Sequence, residues 1–317
     1  MVERVGTRVD SELVRRGLAR SRRHAAELVA AGRVLQAGAP VPKASTTVAS
    51  SSELTVVTDD LDPLYASRAG FKLAGVLDAL STDASAGPVG PDPRGARCLD
   101  LGASTGGFTD VLLRRGAAVV VAIDVGHDQL RRPLRDDPRV VVREGVNVRD
   151  LTPQDVGPAP DLVVADLSFI SLAMVLPAVA GVVRPGADLL LLVKPQFEVG
   201  RERLGRGGVV RDPELHAEVV LSVAKHAQLA GLRPVAAVPS TLPGPSGNRE
   251  YFWWLRADGD RPVPERALAH AAREVVARRD VRGADGLADV TRVAANGAFE
   301  ARPPTSDLPD ETSGGDL

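Results

Sequence analysis

The chain has 317 residues, 44% of them hydrophobic and 25% charged, which is ordinary globular usage and enough for two domains with a substantial core. Aromatics are only 3%, so the core must be built from Ala, Val and Leu; the single cysteine, Cys98, excludes an intramolecular disulfide or a cysteine-rich metal centre and fits a reducing compartment. The net charge of −2 divides unevenly: residues 1–50 hold nine Lys/Arg against four acids, a local +5 that leaves −7 for the remainder, so a basic module is attached to a mildly acidic body.

The charged stretch Met1 to Asp10 lacks the apolar core of a secretion signal. Apolar runs such as Ala117–Ile123 and Leu189–Val193 are far shorter than the ~20 residues that span a bilayer. The expectation is a cytoplasmic, monomeric protein with no membrane-spanning segment. Asp10 or Ser11 can cap a first helix with Leu13, Val14 and Leu18 on its apolar stripe, and Gly17 marks its end. Ser21 caps a second helix, with Ala25, Leu28 and Val29 inward and Gly32 stopping it. A strand over Arg33–Gln36, an Ala-Gly turn and a β-rich stretch to Val57 complete a small α+β unit, assigned to residues 1–60. Asp59–Pro63 reads as linker, and residues 61–65 join this unit to a larger domain over 66–282.

Residues 64–80 read as helical, and Ser85–Gly95 as a loop. From Arg97 the pattern alternates, with strands at 97–101, 118–124, 139–143, 161–166, 188–194, 233–239 and 250–256. Helices are expected at 107–115, 169–183, 213–230 and 264–279. Short apolar strands interleaved with helices predict an α/β fold with a parallel, doubly wound, Rossmann-like sheet. Only Ser240–Arg249 joins the last two strands, so they form an antiparallel hairpin at the sheet edge. Trp253 and Trp254 fall on opposite faces of the last strand, one of them in the core. Residues 283–317, rich in Gly, Pro, Ser and acids, read as a disordered tail.

The strongest local motif is Cys98-Leu-Asp-Leu-Gly-Ala-Ser-Thr-Gly-Gly-Phe108. A buried strand ends at Leu101, and Gly102, Gly106 and Gly107 turn the chain tightly into a helix whose free N–H groups face a polar ligand. Asp124 closes the next strand, where a carboxylate can hold both hydroxyls of a ribose. Together these describe a site for an adenosine-bearing cofactor, lined by Gly102, Ala103, Ser104, Gly106, Gly107, Phe108, Asp124 and Val125. A dinucleotide site would look similar. Asp100 before the first glycine, combined with the antiparallel hairpin, resembles class I methyltransferases, in which that acid serves the methionine amino group of S-adenosyl-L-methionine.

A second constellation consists of Lys72, Asp166 at a strand end in Val164-Ala-Asp-Leu-Ser-Phe-Ile170, Lys194 at a strand end in Leu190-Leu-Leu-Val-Lys-Pro-Gln-Phe197, and Glu250 at the start of the final strand. Singly, each is explained as a solvated strand end. In order and context, the four match the Lys-Asp-Lys-Glu tetrad of FtsJ-like ribose 2′-O-methyltransferases. The basic unit, with Arg8-Val-Asp-Ser-Glu-Leu-Val, Ser21-Arg-Arg and Gly32-Arg-Val, resembles the small RNA-binding domain named after ribosomal protein S-four. With Lys194-Pro-Gln-Phe-Glu198 and Arg249-Glu-Tyr-Phe252, the whole is similar to the TlyA family of ribosomal RNA cytidine 2′-O-methyltransferases, long known as haemolysins, over roughly residues 4–280.

The resemblance implies S-adenosyl-L-methionine as cofactor, ribosomal RNA or ribosomal subunits as partner, and Lys194 as the base that deprotonates a 2′-OH. An ordinary lysine, with a pKa of ~10.4, needs a neighbouring Lys72 charge and partial burial to become one. Asp166 and Glu250 orient the ammonium groups, Asp166 also faces the methionine end of the cofactor, and Asn147 faces the adenine. Arg8, Arg22, Arg23 and Lys43 are the expected phosphate contacts. No aromatic occurs in residues 1–60, so recognition there is of backbone and shape. The loop Gly200–Gly208 either closes over RNA or merely connects. The five histidines, His216 among them, show no metal spacing, and no metal is expected. The rival functions are a membrane-active cytolysin and a non-catalytic ribosome-assembly factor.

Overall fold

The computed structural model describes residues 6–57, 63–81, 90–205, 207–244, 246–258, 262–278 and 290–293. The N-terminal unit comprises β1 (Thr7–Arg8), α1 (Val9–Arg15), α2 (Arg22–Ala30), β2 (Val34–Gln36), β3 (Ala39–Pro40), β4 (Thr47–Val48) and β5 (Leu54–Val56). Val9, Leu13, Ala25, Leu28, Val34 and Val48 form its own core. Ser21 caps α2 as expected, accepting from His24 N. Neither proposed cap serves α1, which begins at Val9, after Arg8. Asp10 is instead drawn to cations: its carboxylate takes Arg8 at 2.8 Å and Arg22 at 3.1 Å. Glu12 likewise takes Arg15 and Arg16.

The larger domain contains α3 (Ala69–Ser81), β6 (Arg97–Leu101), α4 (Gly107–Arg114), β7 (Val119–Asp124), α5 (Arg132–Arg135), β8 (Val140–Glu144), α6 (Pro153–Val156), β9 (Leu162–Ala165), α7 (Leu172–Ala180) and β10 (Asp188–Val193). It continues with α8 (Pro195–Glu198), α9 (Pro213–Leu229), β11 (Arg233–Pro239), β12 (Tyr251–Arg256), α10 (Glu265–Ala277) and β13 (Thr291–Arg292). The strands form one sheet in the order β13-β11-β12-β10-β9-β6-β7-β8. β8, β7, β6, β9 and β10 are parallel, and β12, β11 and β13 join antiparallel. β6 sits between β7 and β9, so the chain switches direction across the sheet beside it, and a crevice opens at the carboxyl ends of these strands.

Both sheet faces are covered, which is why the strands read as continuous apolar runs. On one face Leu99, Val121, Val163, Leu191 and Trp253 pack with α7, α9 and α10; on the other Cys98, Val120, Val164, Leu190 and Trp254 pack with α3 and α4. Trp253 and Trp254 are therefore both core residues, not one, because β12 lies inside the sheet and has no solvent-facing side.

Three other expectations are corrected. The helix expected from 64 starts at Ala69, since Asp110 accepts from Ala66 N at 2.8 Å and Arg114 donates to the Pro63 and Leu64 carbonyls, tying this backbone to α4. The helix expected from 169 starts at Leu172, after the capping Ser171. Thr291–Arg292, inside the supposed disordered tail, pair with β11 and place β13 outside the hairpin expected at the edge. Residues 283–289 and 294–317, and most of the expected linker, lie outside the described residues. The two domains touch where Arg131 donates to the Ala19 carbonyl at 2.8 Å and the Arg20 guanidinium lies 5.6 Å from the Phe71 ring centre.

Candidate active site

The glycine turn follows β6 directly. Gly102 has φ +82°, and a Cβ there would lie 2.9 Å from the Asp166 carbonyl oxygen, so a side chain would wedge the turn away from the end of β9. Gly106 caps α4 at φ +96°, and a Cβ would run into Leu134 and Leu130; its smallness serves packing under the turn rather than the cleft wall. Asp124, at the end of β7, accepts from Ser104 N at 2.8 Å and Gly126 N at 2.7 Å, bracing the turn from the side. Asn147, which lines the cleft, uses its side-chain oxygen to accept from Arg149 N at 3.1 Å.

Asp100 is fully buried beneath this turn and does not line the cleft. Its Oδ2 accepts from the Thr109 hydroxyl at 2.6 Å, while Oδ1 has no donor among the described residues. Burial pushes its carboxyl up to about 7, against the opposing Thr109 bond. With no exposed surface, Asp100 supports the turn from beneath through Thr109, and does not face a ligand in the cleft as the sequence motif leads one to expect.

A cleft of about 1290 Å³ opens beside the turn, and its wall carries Lys72, Asp166, Lys194 and Glu250 together with Gly102, Ala103, Ser104, Gly107, Phe108 and Asn147. An adjoining cavity of about 500 Å³ shares Gly102, Ser104, Asn147 and Asp166 and adds Asp124 and Val125. The four charges, Lys72 from α3 and the other three from strand ends, are thus brought together as two ion pairs. Lys194 Nζ lies 2.6 Å from Asp166 Oδ1 and donates to Ser168 Oγ at 2.9 Å. Lys72 Nζ donates to Glu250 Oε2 at 2.5 Å. Both pairs stand on the cleft wall with their lysines nearly buried; Asp166 keeps 16% exposure while Glu250 has none, so the Lys72 pair is the less accessible of the two.

Several cleft residues escape sequence reasoning. Phe169 is 91% exposed at φ +65°, with its ring centre 5.1 Å from that of Phe197. Exposed Arg68, Arg149 and Arg201 stand on the rim. The loop after α8 is anchored by buried Asn248, which accepts from Val210 N and donates to Gly208 O, both at 2.9 Å. His216 is buried between the Val210 carbonyl and the Tyr251 hydroxyl, a structural position. In the N-terminal unit, Arg8, Arg22, Arg23 and Lys43 are all exposed, although Arg23 pairs with Glu27 and the first two share Asp10. Among the described residues no cluster could hold a metal ion, and no helix is long and apolar enough to cross a membrane.

Residues 65–257 match the FtsJ-like methyltransferase family, and residues 7–54 match the S4 domain. The chain is 54% identical to the 16S/23S rRNA (cytidine-2'-O)-methyltransferase TlyA of Mycobacterium tuberculosis, an alignment covering 85% of this chain and 97% of that protein. It is 34% identical to Hemolysin A of Brachyspira hyodysenteriae over 77% of this chain and 98% of that one. A solved structure of a Streptococcus thermophilus protein that carries a hemolysin name superposes with a TM-score of 0.62 at 35% identity, covering 86% of this chain and 95% of that chain.

Proposed function

The chain belongs to the TlyA family of FtsJ-like methyltransferases, and on that premise we propose that it methylates the ribose 2′-OH of cytidine in ribosomal RNA, using S-adenosylmethionine. The observation that carries this reading is the pair of lysine–carboxylate contacts on a cleft that opens beside the glycine turn. We propose further that it works as a monomer in the cytoplasm.

S-adenosylmethionine supplies, when bound, an electrophilic methyl group on a sulfonium. The turn at Gly102–Ser104, with Asp124 and Asn147, would hold it. Lys194 Nζ is the group that would accept the 2′-OH proton, with Asp166 beside it to stabilise the ammonium so formed. Ser168 fixes the direction of Nζ. The Lys72–Glu250 pair braces the cleft wall beside the ribose, and alignment of the reacting atoms accounts for most of the rate. Phe169 offers an open ring face on which a base can stack, and the rim arginines offer phosphate contacts.

Two expected results arise here. Gly102→Val should abolish S-adenosylmethionine binding in calorimetry, because the added methyls meet the Asp166 backbone at a left-handed φ. Asp124→Ala should weaken binding about tenfold or more, since it loses charge-assisted bonds to the turn as well as to a ribose. Wild-type affinity in both would contradict the assigned cofactor site.

The N-terminal unit is proposed to dock on rRNA through Arg8, Arg22, Arg23 and Lys43. Removing residues 1–60 should leave cofactor affinity unchanged, because the catalytic domain keeps its own cores. It should weaken binding to ribosomal subunits and flatten its salt dependence, by ~0.7–0.9 in log–log slope for each phosphate no longer neutralised. A truncated protein that methylates subunits as well as the full chain at moderate salt would refute this docking role.

A further inference from the structure

One turn of chain, Lys194–Glu198, meets one loop, Asp166–Leu172, at three successive levels. Lys194 Nζ reaches Asp166 and Ser168, at 2.6 and 2.9 Å. The Phe197 ring packs on Phe169, 5.1 Å between centres. Glu198 closes the series: its Oε2 accepts from the Ser171 hydroxyl at 2.5 Å and its Oε1 from Leu172 N at 2.8 Å. The turn itself is stiff, with Phe197 N bonded to Lys194 O at 2.9 Å and Val199 N to Pro195 O at 3.0 Å.

The first contact belongs to the chemistry already assigned. The third does not, yet the fold partly buries a carboxylate to make it, and that burial raises the Glu198 carboxyl above its ordinary value against the pull of its two hydrogen bonds. Ser171 Oγ accepts from Ala173 N at 3.2 Å and Glu198 serves the amide before it, so the two share the cap of α7, while Glu198 alone also holds the Ser171 hydroxyl. What Glu198 adds is a fixed far end for the loop. Between its two anchors the loop carries Phe169, an exposed bulky residue at positive φ, a conformation that persists only where the surroundings over-determine it.

We propose that Glu198 is a positioning residue for the RNA acceptor: its clamp on Ser171 and Leu172 holds the 166–172 loop in the shape that presents Ser168 and Phe169 to the target nucleotide. The proposal rests on the reading of the cleft as a methyltransferase site. Glutamine can keep both contacts, its amide oxygen accepting from Leu172 N and its NH2 donating to Ser171 Oγ. Alanine keeps neither.

The test compares full-length wild type, Glu198→Ala and Glu198→Gln by amide hydrogen exchange, calorimetric S-adenosylmethionine affinity, and steady-state methylation of ribosomal subunits. In Glu198→Ala, exchange over residues 168–172 should quicken about tenfold or more while the β10 and α9 amides keep their protection. Its KM for subunits should rise about tenfold, with cofactor affinity within about twofold of wild type. Glu198→Gln should stay within about threefold of wild type in every readout. The proposal is overturned if Glu198→Ala leaves exchange and KM at wild-type values, if its faster exchange spreads through the whole sheet, or if Glu198→Gln is as impaired as Glu198→Ala. A wild-type protein that does not methylate subunits would sink the reading of the cleft; the exchange comparison would then decide the clamp alone.

Discussion

Lys194→Ala is expected to lower methyl transfer to ribosomal subunits by about a hundred- to ten-thousandfold, the range that a positioned general base contributes. Lys194 follows β10, and its Nζ is held by Asp166 and Ser168 at the cleft wall. The alanine variant should fold, because the carboxylate it leaves behind is partly exposed and can hydrate. Its affinity for S-adenosylmethionine should stay within a few-fold, since the turn and Asp124 are untouched. Lys194→Arg should not rescue, because a guanidinium keeps the charge but cannot shed a proton. Tritiated cofactor and purified subunits make the measurement, and substantial turnover in either variant removes Lys194 from the role of base.

The second large effect is on stability as well as rate. Glu250 is fully buried and Lys72 nearly so, and they pair at 2.5 Å. Deleting one partner of a buried pair strands the other charge and typically costs about 3–5 kcal/mol. Glu250→Ala should therefore lose activity and also unfold at clearly lower urea. Replacing both residues, as Lys72→Met with Glu250→Leu, should restore most of the stability without restoring activity, because matched apolar side chains avoid the stranded charge. A Glu250→Ala protein as stable as wild type would mean that the pair is hydrated in solution.

What was legible in the sequence follows from what periodicity and chain order encode. Asp166 and Lys194 are readable as site residues because each directly follows an apolar strand, and strands of one parallel sheet end on one edge. The glycine turn is readable because Gly102 occupies a backbone conformation that side chains resist. Asp100 is readable as a member of the motif but not in its burial, which depends on Thr109 one helical turn inside α4. Phe169 is missed because the apolar run 169–183 looks like one helix. Ser171, capping α7 with help from Glu198 some 26 positions away from Leu172, delays the start of the helix and leaves Phe169 in the exposed loop before it. The strand at Thr291–Arg292 is missed because composition suggests disorder, and two residues on a sheet edge carry no period. Pairings between distant segments decide all three, and local pattern does not report them.

The central claim is the identity of the methylated atom. Ribosomal subunits from cells lacking this activity, incubated with the purified chain and tritiated S-adenosylmethionine, can be digested to nucleosides and separated. The account predicts that the label co-elutes with 2′-O-methylcytidine and vanishes with Lys194→Ala. Label in a base-methylated nucleoside, or none above background with the wild-type chain, would contradict it.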